Sequence, residues 1–207
     1  MKGSGMTIVK DRPADAGFVA ARKAMVDSQL RVSGVNTDIV RERMGAVPRE
    51  DFVPADVRSI AYMDRAVPLG GGRVLAAPLV HGLMLEEAAP TPDDTVLLVD
   101  GGSGYLAELL RPLVSSIEVI KPEDAATASR KKGDVTLLVI DGAIGQLPDT
   151  LAKRLADNGR VVSGLVVRGL TRLASGRKIA GDVSLIPLAE IGIPVLPEFA
   201  VPKSWSF

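Results

Sequence analysis

A glycine-rich turn carries the clearest chemical signal in this 207-residue sequence. Residues 102–107, GSGYLA, fit the pattern G-x-G-x-x-A, which is typical of turns that bind dinucleotides. Glycines at such a turn let the backbone approach a ligand, and the helix that follows offers free N–H donors. A tight turn without any ligand has the same residue types, so the pattern alone is weak. The sequence predicts a ligand-binding turn and leaves a plain structural turn as the alternative.

Apolar runs and helical segments alternate around this turn. The runs at residues 95–99, 117–120 and 135–140 predict three strands, and acids follow the first and the last, at Asp100 and Asp141. Continuous apolar strands that alternate with helices favour a parallel sheet covered on both faces. We therefore expect an α/β fold with a Rossmann-like sheet that binds its ligand at the carboxyl ends of the strands.

The two parts of the chain differ in character. Residues 1–90 are predicted to form a helical N-terminal extension with a substrate-side segment, and residues 91–207 an α/β domain, together one compact unit. Thr37 is a candidate helix cap, and Pro78 suits the first turn of a helix. Residues 147–160 predict an amphipathic helix. The strands expected after it follow one another without a helix, as in a meander.

Composition excludes several classes of function. Lysine and arginine number 25, as do aspartate and glutamate, whereas a phosphate-tracking protein usually has a basic excess, so we expect no nucleic-acid partner. The absence of cysteine and the single histidine, His81, exclude thiolate and multi-histidine metal sites. No apolar run reaches the ~18 residues that span a membrane, and the first residues lack the apolar segment of a signal peptide. We expect a cytoplasmic protein without a membrane partner.

From Ala24 to Phe207 the sequence resembles the protein-L-isoaspartate O-methyltransferase family. The matching motifs, in the family's order, are AMVDSQL, AVPREDFVP, AYMDRAVPLGGGR, APLVHGLML, VLLVDGGSGY, TLLVIDGA and LADNGRVVSGL. The resemblance implies S-adenosylmethionine as cofactor, an isoaspartyl carboxylate in a damaged polypeptide as substrate, and helices packed over the cofactor mouth. A carboxylate is already a nucleophile near pH 7, so the implied methyl transfer needs mainly alignment with the sulfonium methyl group.

The resemblance places the cofactor at the ends of three strands. The implied cofactor-binding residues are Asp100, Gly101, Gly102, Ser103, Gly104, Tyr105, Glu123 and Asp141. The family's turn reads E-x-G-x-G-S-G-Y, so Leu98 replaces its acid and Asp100 replaces its first glycine. Asp100 either faces the cationic groups of the cofactor or fills the methionine pocket. Lys121 replaces the ribose-binding acid and cannot accept hydrogen bonds from a diol, which leaves Glu123 as the candidate substitute.

The candidate substrate contacts also depart from the family pattern. They are Arg73, Ala76, Pro78 and His81. The family's Q-T-I-S-Q-P stretch presents a serine hydroxyl to the reacting carboxylate, and Ala76 stands at that position. Arg73 is either a bidentate carboxylate ligand or a surface charge. His81 is either a base or a histidine without a catalytic role, and a carboxylate nucleophile requires no base, so no catalytic residue is assigned.

The connection after the second predicted strand is short. Fourteen positions lead from Ile120 to Asp134, and a crossover between parallel strands needs about a dozen residues. This length suffices for a short helix but not for the additional strand and acidic loop that the family has there. We expect residues 117–120 to form the edge of the parallel sheet and the adenine wall to be missing.

These departures predict a weakened cofactor site and a weakened substrate site. Two functions stay open: a diverged carboxyl methyltransferase, and a catalytically silent relative that serves as a binding or scaffold protein for an unknown protein partner. A distant third is an NADP-linked oxidoreductase with Lys121 at the 2′-phosphate. Binding of S-adenosylmethionine would separate the first function from the others.

Overall fold

A computed structural model describes residues 13–125 and 132–201. The helices are α1 (Pro13–Ala24), which continues as a π-helix (Met25–Leu30), α2 (Asp38–Ala46), α3 (Pro78–Ala88), α4 (Tyr105–Leu110), α5 (Pro122–Ala125) and α6 (Asp149–Arg154). The strands are β1 (Val67–Gly70), β2 (Arg73–Leu75), β3 (Thr95–Val99), β4 (Ser116–Ile120), β5 (Val135–Ile144), β6 (Leu155–Val167), β7 (Leu170–Ile179) and β8 (Asp182–Glu190). Short 3-10 helices occupy Arg31–Ser33, Arg49–Phe52, Ala55–Ile60, Arg111–Leu113 and Pro197–Phe199.

Six strands form the central sheet, in the order β4-β3-β5-β6-β7-β8. The pairs β4–β3, β3–β5 and β5–β6 are parallel, and β6, β7 and β8 form an antiparallel meander. Strands β3 and β5 are almost wholly buried, as expected of parallel strands covered on both faces. The predicted α/β fold with a Rossmann-like sheet is confirmed.

Strand β4 is the edge of this sheet within the described residues. It pairs with β3 in parallel from Thr95↔Ser116 to Val99↔Ile120, and no other described strand pairs with it. The prediction of an edge strand at residues 117–120 holds for this part of the chain. Residues 126–131 of the crossover between β4 and β5 lie outside the described residues. The part of the expected short helix that falls on them lies outside as well.

The N-terminal helices cover one face of the sheet. Met25, Leu30 and Met44 pack in the same apolar cluster as Leu98 of β3, and all four are buried. Adjacent positions on the strand alternate, so Leu97 belongs to the cluster on the opposite face. Burying one such side chain stabilises the fold by about 1.5–3 kcal/mol. Leu98 therefore belongs to the core under the helices, where a carboxylate would need partners.

The predicted amphipathic helix at residues 147–160 is only partly correct. The helix ends at Arg154, and Leu155 already pairs with Val135 as the first residue of β6. The residues that follow form a bulge, since the next pair in this ladder is Leu137↔Arg160 and Asn158 has a φ of 64°. Strand pairing overrides the helical periodicity because Leu155 reaches the core beneath the sheet.

Two local predictions about helix starts have different outcomes. Pro78 occupies the first turn of α3, as predicted. Thr37 directly precedes α2, but its hydroxyl donates to Glu86 at 2.8 Å instead of capping the helix. None of the described helices is both long and apolar enough to cross a membrane.

Candidate functional site

The glycine-rich turn between β3 and α4 folds around its own carboxylate. Asp100 accepts hydrogen bonds from the N–H groups of Gly102 and Gly104, each at 3.0 Å. Both glycines have positive φ values, 112° and 74°, which residues with a side chain rarely adopt. The hydroxyl of Ser103 accepts a hydrogen bond from the N–H of Tyr105 at 3.1 Å. The donors that such a turn usually offers to a ligand are thus bonded within the turn.

Gly101 brings this turn against the end of β5. A Cβ atom at this position would lie 2.5 Å from the backbone oxygen of Asp141, so only glycine fits without movement. The close approach makes Asp100 and Asp141 neighbours. Burial first, and then the charge of Asp141, raise the pKa of Asp100, while the N–H groups of Gly104 and Gly102 act in the opposite direction. The site is therefore rich in negative charge.

Behind Asp141 lies a line of fully buried polar groups. Asp141 Oδ1 is 2.9 Å from Nε2 of His81, and Nδ1 of His81 is 3.2 Å from a terminal guanidinium nitrogen of Arg49. Neither His81 nor Arg49 is accessible to solvent. Both ring nitrogens of His81 are engaged, so the imidazole does not reach the cavity as a base. Arg49 was not among the predicted site residues, although it lies in AVPREDFVP, one of the motifs that resemble the family.

Arg73 also lines the cavity and is held by two acids. Its terminal nitrogen Nη2 is 2.6 Å from Glu123 and 2.6 Å from Glu198. Glu198 comes from the C-terminal segment, which the sequence analysis did not connect with the site. The hydrogen bond to Glu198 is the main cause that raises the pKa of Arg73. The guanidinium thus ties the β1–β2 hairpin to the short crossover and to the C-terminal segment.

A cavity of about 280 Å³ lies between these groups at the carboxyl ends of β3 and β5. Its lining residues are Gly71, Gly72, Arg73, Val74, Gly101, Glu123, Asp141 and residues 194–198. The structure therefore brings together four of the predicted site residues, Arg73, Gly101, Glu123 and Asp141. The segment at 194–198 is an addition that the sequence analysis missed, because nothing in its composition indicates that it folds back to the sheet.

The remaining predicted site residues do not line this cavity. Tyr105 is fully buried, and its ring packs 5.4 Å from that of His81. Ala76 is buried, and its carbonyl oxygen accepts a hydrogen bond from Arg49. Pro78 is buried at the start of α3.

Lys121 is exposed next to the end of β4. The three remaining residues of the turn, Gly102, Ser103 and Gly104, and its carboxylate Asp100 lie beside the cavity.

The charges of the lining fit a cationic cofactor. Three carboxylates, Glu123, Asp141 and Glu198, face one guanidinium, Arg73. A sulfonium and an ammonium group, the cations of S-adenosylmethionine, are attracted to such a site. A carboxylate such as that of Glu123 is also of the chemical type that accepts hydrogen bonds from a diol. Among the described residues, no cluster of three or more acids and histidines is placed to hold a metal ion.

The sheet order and the cavity above β3 and β5 define a Rossmann-like methyltransferase fold. The family model "Protein-L-isoaspartate(D-aspartate) O-methyltransferase (PCMT)" matches residues 20–132. A protein-L-isoaspartate O-methyltransferase of Methylorubrum populi is 31% identical over 201 residues, which cover 82% of this chain and 95% of the relative. The chain belongs to the protein-L-isoaspartate O-methyltransferase family.

Other relatives match over a shorter stretch. The enzyme of the same name from Roseiflexus castenholzii is 39% identical over 139 residues, 64% of this chain and 63% of the relative. That from a Synechococcus strain is 40% identical over 124 residues, 58% of this chain and 51% of the relative. The chain thus spans less than two thirds of these two relatives.

Solved structures support the fold. A Plasmodium falciparum structure described as a protein-L-isoaspartate O-methyltransferase in complex with S-adenosyl-L-homocysteine superposes with a TM-score of 0.68. It is 18% identical and covers 86% of this chain and 98% of its own. A second protein-L-isoaspartate O-methyltransferase structure has a TM-score of 0.67 at 16% identity, covering 86% of this chain and 67% of its own. At these identities the likeness extends to the fold alone.

Proposed function

We propose that this protein transfers a methyl group from S-adenosylmethionine to the carboxylate of isoaspartyl residues in polypeptides. The observation that carries the proposal is the cavity above β3 and β5, whose acids outnumber its single guanidinium. Family membership supports the reaction class. A cytoplasmic location and the absence of nucleic-acid and membrane partners stay predictions from the sequence.

The residues of the chain divide the work between binding and alignment. When bound, the cofactor supplies an electrophilic methyl group on a sulfonium. Asp141 provides negative charge next to Gly101, which lines the same cavity. Glu123 accepts hydrogen bonds from the ribose hydroxyls in place of the acid that Lys121 replaces. Alignment of the two reacting atoms is the main task, because the attacking carboxylate is already ionised near pH 7.

Arg73 is the group that binds the substrate carboxylate in this proposal. It lines the cavity, and a guanidinium binds a carboxylate with two parallel hydrogen bonds. Ala76 contributes no hydroxyl, and its carbonyl is already bonded to Arg49. The substrate must therefore compete with Glu123 and Glu198 for the guanidinium. We expect substrate affinity to depend on this competition.

We expect the cofactor to bind weakly. Loss of the ribose acid removes a charge-assisted hydrogen bond worth roughly 1.5–3 kcal/mol, and a missing adenine wall removes apolar contact as well. A combined loss of about 4 kcal/mol weakens a micromolar site ~1000-fold, toward the millimolar range. The edge position of β4 is consistent with an open adenine side.

The second candidate is a catalytically silent binding or scaffold protein. The carboxylate of Asp100 bonds the N–H groups of Gly102 and Gly104, so the turn has satisfied itself without a ligand. A turn of this kind keeps its shape when the cofactor is absent. The NADP-linked alternative depends on Lys121, which is exposed and does not line the cavity.

Transfer of radiolabelled methyl groups tests the proposal. The chain is incubated with millimolar S-adenosylmethionine and a synthetic peptide that contains one isoaspartyl residue, and the control peptide has aspartate at the same position. We expect base-labile label on the isoaspartyl peptide alone. Saturable cofactor binding without transfer to either peptide would favour the silent alternative, and transfer to both peptides would contradict the substrate class.

A further inference from the structure

Arg49 is the largest fully buried side chain of the protein among the described residues. It lies in the 3-10 helix Arg49–Phe52. Its Cζ atom is 5.0 Å from the centroid of the Tyr105 ring. Burial lowers the pKa of Arg49, and the charge of Asp141 is among the groups that oppose this shift. Burying a guanidinium is costly unless each of its donors finds an acceptor. The arrangement of those acceptors indicates what the residue does.

The acceptors of Arg49 lie in three different parts of the chain. Its Nε donates to the backbone oxygen of Ala61 at 2.7 Å, and its Nη2 donates to the backbone oxygen of Ala76. Its Nη1 lies 3.2 Å from Nδ1 of His81. Ala61 follows the 3-10 helix Ala55–Ile60, Ala76 follows β2, and His81 lies in α3. One planar group therefore fixes the relative positions of three segments around the cavity.

The direction of these bonds sets the protonation of His81. A guanidinium has donors and no acceptor, so Nδ1 of His81 accepts from Arg49 and carries no proton. The single proton of the neutral ring is then on Nε2, which donates to Asp141 Oδ1 at 2.9 Å. No described residue donates a hydrogen bond to the other oxygen, Oδ2, of Asp141, a residue that lines the cavity.

We propose that Arg49 is the positioning residue of this site. It holds His81 as the neutral Nε2–H tautomer, which orients Asp141 and leaves its negative charge available to a cation in the cavity. Through Ala76 it also fixes the segment that follows β2 relative to the carboxylate of Asp141. The inference rests on the proposed function for the identity of the cation, but the tautomer and its dependence on Arg49 do not.

The alternative is that Arg49 only fills space in the core. Without a guanidinium, the imidazole would keep the carboxylate of Asp141 at Nε2 but would lose the donor at Nδ1. It would then take up a proton on Nδ1 and neutralise Asp141 within an ion pair. If Arg49 only filled space, replacing it with another side chain of similar length would not change the protonation of His81.

The single histidine makes the proposal directly measurable. In ¹⁵N-labelled protein prepared without a histidine tag, long-range proton–nitrogen spectra report the two ring nitrogens of His81 alone. We compare the wild type with Arg49→Met and Arg49→Lys. Arg154→Met is the matched control, since Arg154 is also buried but pairs with Asp134 and Glu118 away from the cavity.

We expect the wild type and the Arg154→Met control to show the ring proton on Nε2 and an unprotonated Nδ1, as the hydrogen bonds require. In Arg49→Met, where Nδ1 loses its donor, we expect a second ring proton on Nδ1 under the conditions in which the wild type shows none. Arg49→Lys keeps a cation beside the ring and is expected to return the spectrum toward the neutral form. A wild-type ring with its proton on Nδ1 would overturn the proposal, as would Arg49 variants whose ring matches the wild type.

Cofactor titrations add a second readout. Arg49→Met is expected to lose at least fivefold in the ratio of its affinities for S-adenosylmethionine and S-adenosylhomocysteine, because Asp141 is neutralised. The Arg154→Met control should keep that ratio within twofold, and an unchanged ratio in Arg49→Met would contradict the positioning role. If the wild type binds neither ligand, the proposed function fails, and the spectra of His81 alone decide the inference.

Discussion

The two ends of the cavity are built in different ways. The inner end consists of Gly101 and Asp141, with His81 and Arg49 behind them, and all four are buried. The outer end consists of Arg73, Glu123 and Glu198, which reach solvent to different degrees: the side chains of Arg73 and Glu123 are 23% and 58% exposed. The inner end is held by close backbone approach and buried hydrogen bonds, and the outer end by ion pairs that are partly accessible to solvent.

This difference separates what the fold fixes from what the sequence can vary. Exposed ion pairs typically contribute about 0–1 kcal/mol, whereas a buried group that loses its partner costs about 1–3 kcal/mol or more. The substitutions relative to the family at Lys121 and in the short crossover lie at the outer end. Asp100 and Ala76 are the departures next to the inner end, and there each is bonded to a neighbour. The inner end should therefore dominate both stability and cofactor binding.

The largest expected effect is that of Asp141→Asn on cofactor affinity. Asparagine still accepts the hydrogen bond from His81 but removes the charge. Charge-assisted interactions contribute about 1.5–3 kcal/mol, so affinity for S-adenosylmethionine should fall about tenfold or more. S-adenosylhomocysteine, which lacks the sulfonium, should lose less. Titrations followed by NMR measure both constants.

Glu198→Gln is the matched control for that variant at the outer end. It also removes one carboxylate from the cavity lining, but from a partly buried ion pair with Arg73. We expect its affinity for S-adenosylmethionine to change by less than about fivefold. A larger loss in Glu198→Gln than in Asp141→Asn would reverse the ranking of the two ends.

Gly101→Ala should destabilise the inner end by steric overlap. The added methyl group would lie 2.5 Å from the backbone oxygen of Asp141, and a backbone atom cannot swing away as a flexible side chain does. Overpacking of this kind costs about 1–3 kcal/mol. Gly192→Ala is the control, since a Cβ there meets nothing within 4 Å, and it should stay within about 0.5 kcal/mol of the wild type. Urea unfolding of both variants measures the difference, and equal stabilities would contradict the tight packing of the turn.

Restoring the family residues at the glycine turn and at the end of β4 should improve binding moderately. In the double variant Asp100→Gly and Lys121→Glu, the N–H groups of Gly102 and Gly104 become free for a ligand, and an acid returns to the ribose position. We expect a gain of about tenfold in affinity for S-adenosylhomocysteine, which is ~1.4 kcal/mol. The two single variants are measured alongside it. Weaker binding by the double variant would show that Asp100 or Lys121 is itself a ligand contact.

The strands that carry the site were predictable from the sequence, and the ends of some elements were not. The apolar runs at 95–99 and 135–140 are strands because both of their faces are buried, which requires no knowledge of their neighbours. The helix expected to continue past Arg154 fails for the opposite reason. The spacing of four between Leu151 and Leu155 fits one face of a helix and also one face of a strand, and only the pairing of Leu155 with Val135 decides between them.

The same distinction holds within the candidate site. Gly101 and Asp141 were predictable because they come soon after the apolar runs 95–99 and 135–140, whose carboxyl ends meet at one edge of a parallel sheet. Arg49 and Glu198 come from distant segments that only the folded chain brings to the cavity. No periodicity or local motif contains that long-range information. His81 was correctly noticed as a titratable group in a helix, but its burial and its two partners follow from packing alone.

The preference for the cationic cofactor should depend on pH. Burial and the charge of Asp141 raise the pKa of Asp100, so part of this carboxyl is neutral at pH values where an exposed aspartate is ionised. A bound sulfonium favours the ionised form. The affinity ratio of S-adenosylmethionine to S-adenosylhomocysteine should therefore rise a few-fold as pH increases through the raised pKa, and then level off. Asp100→Asn should flatten this dependence, and a slope that persists in the variant would assign it to another group.

The smallest expected effect is that of Arg73→Gln on stability. The guanidinium bridges Glu123 and Glu198, and both pairs reach solvent, so their removal should cost less than about 1 kcal/mol in the free energy of unfolding. Added salt should shrink that cost further, because exposed charges are screened. Urea unfolding at low and high salt measures it, with Arg154→Gln as the control, since that guanidinium is buried between Asp134 and Glu118. A loss in Arg73→Gln as large as in the control, and insensitive to salt, would mean that the outer end is as firmly built as the inner one. In that case the substrate carboxylate could not displace Glu123 or Glu198, and Arg73 would be a structural tie and not a binding group.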